Sequence, residues 1–218
     1  MTSDLEPVVR ESAESIKRFL AVAALLAATT PLAGQTPGCS EPHYRWSEKT
    51  DASLASVTPK RAFISTILKT WTPLALTGQA LYTCAPRSGR ELETYTVTGW
   101  VRYLEKHESD GDWHLELTRG SDSPRDSCIV VEIPPTLPDG LYGLARADLD
   151  RLLAGAPVTA AGEVTAPVRL RVIGTAFFDG EHRGGPDRRD QTDGSHGHCN
   201  LSARALWEIH PVYWVRPP

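Results

Sequence analysis

Polar and apolar residues alternate along neighbouring stretches in the middle of the chain. In "DWHLELT" (112–118) Trp113, Leu115 and Leu117 fall on one side and Asp112, His114 and Glu116 on the other, the period of two of a strand. The preceding "TYTVTGWVRYLEKHE" (94–108) is rich in β-branched and aromatic residues, with Gly99 inside it, where a barrel strand often bends or bulges. "SDG" between them predicts a hairpin turn. "SCIVVEIPP" (127–135) supplies a third strand, stopped by prolines that cannot donate to a ladder. The period then changes. "GLARADLDRLLAGAP" (143–157) places Leu144, Leu149, Leu152 and Leu153 on a helical face and closes at Gly155 and Pro157. "PVRLRVIGTAFFDG" (167–180) and "ARALWEIHPVYWV" (203–215) are the fourth and fifth strands, separated by a long polar loop.

Three strands, a helix and two strands give the order of a mainly β protein, a five-stranded OB-fold-like Greek-key barrel with one helix between strands three and four. An SH3-like barrel would lack the helix, and a sandwich would need more strands. Residues 35–60 are rich in Thr, Ser and Pro without a period and predict an extended segment. "PKRAFISTILKTW" (59–71) has Phe63, Ile64, Ile67 and Leu68 at the spacing of a short helix with one buried face. The expected organisation is a signal peptide over 1–34, an N-terminal extension with that helix over 35–93, and the barrel over 94–218.

The leader is read from Lys17 and Arg18 directly before "FLAVAALLAATTPLAG" (19–34), an apolar run too short to cross a ~30 Å hydrocarbon core as a helix. Gln35 follows Leu32, Ala33 and Gly34 where a lipoprotein would carry Cys, so no lipid anchor is expected. A secreted or periplasmic location follows, with no membrane span in the mature chain. Removing residues 1–34 takes four acids and three bases and moves the formal charge from −4 to −3. Such a balance gives no broad positive field, and net charge does not support nucleic acid as a partner. In an oxidising compartment Cys39, Cys84, Cys128 and Cys199 favour two disulfides. Three pairings are open. Cys39 with Cys84, both outside the strands, is preferred, leaving Cys128 with Cys199 or free. No C-x-x-C pair occurs to suggest a four-cysteine zinc site.

Carboxylates and imidazoles recur at element ends. The hairpin offers Asp112 and His114 with Asp110 at its tip, the third strand offers Glu132, "FFDGEH" gives Asp179 and His182, and "WEIHP" gives Glu208 and His210 on one face. Oxygen and nitrogen donors of this kind suit a divalent cation: Ca, Mg, Mn or Zn. The expected metal set is Asp112, His114, Glu132 and His210, with Asp179, His182 and Glu208 as further ligand or active-site candidates. Each has a plainer reading. A hairpin-tip Asp forms turns, His114 and His210 pair with neighbouring carboxylates, and Glu132 ends an exposed strand. The loop "RGGPDRRDQTDGSHGHCN" (183–200), with His196 and His198, reads as solvated and clipped by a disulfide at Cys199. Its Arg183, Arg188 and Arg189 could contact phosphate or pair with nearby acids.

Two resemblances attach to these residues. "DGDW" (110–113) and "EIP" (132–134) are similar to the calcium-binding tip and strand of staphylococcal-nuclease-like OB-folds, which implies Asp112 and Glu132 as metal carboxylates. That pattern requires an Arg five residues before the second acid and a Glu three after it; Ser127 and Pro135 stand there. The Arg would stabilise the charge of the transition state and the Glu would orient water, so hydrolysis lacks its expected partners. Over residues 94–214 the chain also resembles a group of uncharacterised, mostly exported bacterial proteins through "YTVTG", "DWHL", "VEIP", "FFDGEH" and "EIHPV". That resemblance implies a shared architecture and polar constellation, with no reaction attached.

No G-x-S-x-G, Walker loop, H-E-x-x-H or dinucleotide fingerprint occurs. The leading expectation is an exported OB-fold binding module of unknown ligand and partner, holding a divalent cation through its Asp/Glu/His cluster. The rival is a metal-dependent phosphodiesterase that recruits Arg125, Arg188 or Arg189, with His114 or His210 as general base. A third reading is a non-catalytic structural or envelope protein.

Overall fold

Strand β2 (Thr94–Glu105) pairs along both of its edges. In the computed structural model, which describes residues 40–74, 84–135, 140–183 and 194–218, β3 (Trp113–Thr118) runs antiparallel to β2 on one edge, and the short β1 (Lys60–Ala62) lies parallel to it. β5 (Glu163–Phe178) lies antiparallel on the other edge. β4 (Cys128–Ile133) continues from β3, and β6 (Trp207–Arg216) pairs parallel with β4 and antiparallel with β5. The result is a mixed six-stranded sheet of order β1-β2-β3-β4-β6-β5 that the β2–β5 pairing closes into a ring. The leader region and Cys39, Arg188 and Arg189 lie outside the described residues.

Cross-strand register places the branched side chains on one surface. Val101 faces Leu117, Leu117 faces Ile129, Leu115 faces Val131, Val131 faces Ile209, and Val97 faces Val172, which faces Val215. All of these are buried, and each such side chain contributes about 1.5–3 kcal/mol on leaving water. Helix α3 (Leu141–Leu152) stands between β4 and β5 in the chain and packs chiefly against β6. Its buried face is Tyr142, Ala145 and Leu149; of the predicted leucine row Leu149 and Leu153 are buried and Leu152 is half-buried against the core, and Leu144 alone departs. Leu144 is exposed, because its neighbour Ala145, about 100° further round the helix, is the residue turned inward.

The segment before the ring is more ordered than its composition predicts. It contains α1 (Trp46–Lys49), β1, and α2 (Ile64–Thr70), so the helix expected over 59–71 is preceded by an unforeseen strand. Gly99 serves the approach of α2. A Cβ there would sit 2.7 Å from Cδ1 of Ile64, while the register shift of β2 falls two residues later, between Val101 and Tyr103.

The opposite face of β3, β4 and β6 is also buried, although it carries His114, Glu116, Glu132, Glu208 and His210. Arg87 pins a cover onto it by donating to the carbonyls of Glu48, Ala176 and His210 at 2.6, 2.7 and 2.9 Å. Arg45 forms a two-pronged pair with Glu91 at 2.8 and 3.0 Å, and Glu91 also accepts from the Phe178 amide. On the other flank a disulfide joins Cys128 on β4 to Cys199, one of the pairings left open by sequence, and holds residues 194–200 against the sheet. Cys84 is disulfide-bonded as well; its expected partner Cys39 is outside the described residues. No helix among the described residues is long and apolar enough to cross a membrane.

Candidate metal centre

Strand pairing assembles the polar layer. His114 and Glu132 are register partners on β3 and β4, and β6 runs beside β4 with Glu208 and His210 on the same side. Asp112 enters from the hairpin, whose turn is set by Gly111 at φ 87° and by the Asp112 amide donating to the Asp110 side chain at 3.1 Å. The disulfide-bound loop adds His196 and His198 from above.

Glu132 lies at the centre. Its Oε1 is 3.0 Å from Nδ1 of His114, which also faces Glu108 Oε1 at 3.3 Å. Its Oε2 is 2.8 Å from Nδ1 of His210, whose Nε2 lies 3.2 Å from Asp112 Oδ2. His196 is held through Nδ1 by Glu208 Oε1 at 2.5 Å, leaving Nε2 turned toward Glu132 Oε1 at 3.7 Å. Holding one imidazole nitrogen with a carboxylate while the other is directed into a site is how histidine ligands are oriented for metals. Donor atoms from Glu108, His114, Glu132 and His196 lie within 4.8 Å of one another, as do those from Asp112, Glu132 and His210. Glu116 also lies beside Cys128 and Cys199, but those sulfurs are bonded together and offer no thiolate.

Burial makes this arrangement costly without positive charge. Asp112, Glu116, Glu132, Asp179 and Glu208 are each at most 1% exposed, and an ion removed from water is penalised by several kcal/mol. Among the described residues the permanent cation beside them is Lys49 of α1, 3.7 Å from Asp179 and 3.9 Å from Asp110. Burial alone would lower the His210 imidazole, but the charges of Asp112 and Glu132 hold it well above the ordinary histidine value. His114 is likewise raised, its burial outweighed by hydrogen bonds to Glu108, Glu116 and Glu132. Burial and the charge of Glu132 oppose ionisation of Glu208, yet His196 and His210 bring it down to about 2. Burial pushes Asp112 up, and His210 only partly offsets that. Lowered Glu132 and Glu208 thus face raised imidazoles of His114, His196 and His210.

A cleft of about 630 Å³, lined by Tyr44, Lys49, Glu108, Asp110, Glu132, His182 and His196 among others, leads from solvent to the Glu132 side of the layer. No protein family, curated protein or solved structure matches this chain. Geometry and chemistry therefore carry the functional reading.

The structure brings Asp112, His114, Glu132, Glu208 and His210 into one connected network. Asp179 and His182 sit at its edge: Asp179 Oδ2 is shared between Lys49 and His182, each at 3.7 Å, and the His182 ring stacks on His196 with centroids 4.0 Å apart. Glu132 is buried rather than an exposed strand end. The loop read as solvated places His196 at 7% exposure inside the layer. Glu108 and Lys49 carried no sequence signal, since one lies in a charged hairpin and the other in an aperiodic segment. Arg125 pairs with Glu163 and lines a separate depression away from the cleft.

Proposed function

We propose that this chain is an exported OB-fold module that binds a transition-metal divalent cation, Zn2+ or Mn2+, through Glu108, His114, Glu132 and His196 at the end of the cleft. The carrying observation is the orientation of His196: Glu208 holds its Nδ1, and its Nε2 points to the carboxylate oxygen that also faces His114. Two imidazoles and two carboxylates favour such an ion over Ca2+ or Mg2+, which prefer all-oxygen shells. The OB-fold assignment is supported by the ring order β2-β3-β4-β6-β5, the parallel β4–β6 pair and α3 between β4 and β5. Export is supported by the basic-then-apolar leader and by disulfide-bonded cysteines.

A binding role fits better than phosphodiester hydrolysis. Arg125 is engaged with Glu163 away from the cleft, Arg188 and Arg189 lie outside the described residues, and His114 and His210 are buried among carboxylates. Calorimetric titration of the chelator-treated mature protein with Zn2+, Mn2+, Ca2+ and Mg2+ tests the reading. Saturable binding of Zn2+ or Mn2+ that is lost in Glu132→Ala and weakened at least tenfold in His196→Gln is expected. Absence of binding, or binding unchanged in both variants, overturns it.

A further inference from the structure

We propose that the centre is dinuclear, with Glu132 bridging the cleft ion to a second, enclosed ion held by Asp112 and His210. This rests on the cleft site proposed above and adds a position and a stoichiometry. Glu132 presents its two oxygens to different groups. Oε1 faces His114 and His196, whereas Oε2 faces His210, whose far nitrogen faces Asp112. One carboxylate aimed into two donor clusters is the arrangement of a bridging ligand, and paired ions in such sites lie about 3.5–4 Å apart.

Unanswered polar atoms in the inner cluster point to a ligand. Both carboxylate oxygens of Asp112, Oε2 of Glu132 and Nε2 of His210 are buried without a hydrogen-bond partner. The side chains of Asp112, Glu132 and His210 are 0%, 1% and 0% exposed. The nitrogen-oxygen separations of 3.2 and 2.8 Å are short, yet the groups are out of hydrogen-bond alignment. Donors about 2.1 Å from one ion, at the angles of a tetrahedral or octahedral shell, stand roughly 3.0–3.4 Å apart; the 3.2 Å between His210 Nε2 and Asp112 Oδ2 matches this, Glu208 Oε2 lies 3.4 Å from the other ring nitrogen, and donor atoms of Asp112, Glu132 and His210 lie within 4.8 Å of one another. A network of hydrogen bonds alone would leave Asp112 Oδ1 without a partner at this depth, which is costly for a carboxylate.

The two positions differ in access. The cleft lining includes Glu108, Glu132 and His196 but neither Asp112 nor His210, so the cleft ion exchanges readily and the inner ion slowly.

Metal-free full mature protein is loaded with Mn2+, desalted, analysed for metal per chain and examined by electron paramagnetic resonance. Two ions per chain and an exchange-coupled spectrum are expected. Asp112→Asn and, separately, His196→Gln should each drop the count to one and restore the six-line signal of isolated Mn2+. One ion per chain in the wild type, two ions without coupling, or two ions retained in folded Asp112→Asn overturns the dinuclear centre while leaving the cleft site standing; two ions retained in folded His196→Gln overturns the assignment of the cleft ion to His196 as well. No ion at all overturns the cleft site itself. Near-UV circular dichroism identifies a variant that fails to fold. The wild-type spectrum and the loop variant His196→Gln then decide the matter without Asp112→Asn.

Discussion

His196 and Glu208 come from different elements, yet Nδ1 of the first and Oε1 of the second lie 2.5 Å apart. One is on the loop over residues 194–200, the other on β6, and their contact aims the imidazole at Glu132. Glu208→Gln keeps the shape but removes the charge that holds the imidazole. Metal affinity should fall about 10–100-fold with stoichiometry preserved, as for other partners of ligating histidines. Titration calorimetry reads both quantities, and an unchanged dissociation constant would refute the orienting role.

The Cys128–Cys199 bond closes a separation of 71 residues and tethers the histidine loop. Its removal in the paired Cys128→Ser, Cys199→Ser variant should destabilise the fold by about 2–5 kcal/mol. It should also weaken the cleft ion selectively, because His196 and His198 lose their anchor while Asp112 and His210 do not. Denaturant unfolding and metal titration of the same sample check the two effects.

Opposite pH responses are expected with and without metal. His114 and His210 have raised values in the folded chain, so their pairing contributes stability that is complete below the unfolded value near ~6.5 and is lost as pH rises through the folded values. The depressed Glu208 contributes stability lost only as pH falls toward about 2, outside that range. In chelator the melting temperature should therefore fall from about pH 6 to 8.5. Bound Zn2+ requires neutral imidazoles, so the gain in melting temperature on adding it should widen with pH over the same range. Parallel curves in the two conditions would count against ligation by these histidines.

The buried pair of Arg45 and Glu91 holds the N-terminal cover on the sheet. Arg45→Met strands the Glu91 carboxylate and should cost about 3–5 kcal/mol, whereas Arg45→Met with Glu91→Leu should recover much of the loss. Urea unfolding of the two variants distinguishes an unpaired charge from lost packing.

Most of the ring was legible in the chain. The alternation from Asp112 to Thr118, the apolar Ile129, Val131 and Ile133, and the helical run after the third strand determine element type and order, because backbone geometry imposes periods of two and 3.6 wherever one face meets an apolar core. Strand β1 was not legible. Its three residues are too few to show a period, and it exists because β2 had an edge to pair with.

The polar layer was legible for the same reason: Asp112, His114, Glu132, Glu208 and His210 alternate with core residues and so share the reverse face of neighbouring strands. Their burial was not. Alternation says which side of a strand a residue takes, and an aqueous reverse face is the default reading. Here the side is covered by Arg45, Lys49, Arg87 and the 194–200 loop, brought there by hydrogen bonds of the two arginines to carbonyls, by ion pairs of Arg45 and Lys49 with carboxylates and by a disulfide across 71 residues. Contacts so distant in sequence leave no periodic trace. The sequence by itself determined which polar side chains point the same way; only the tertiary structure decided that they are closed off from water, where an unneutralised carboxylate is expensive.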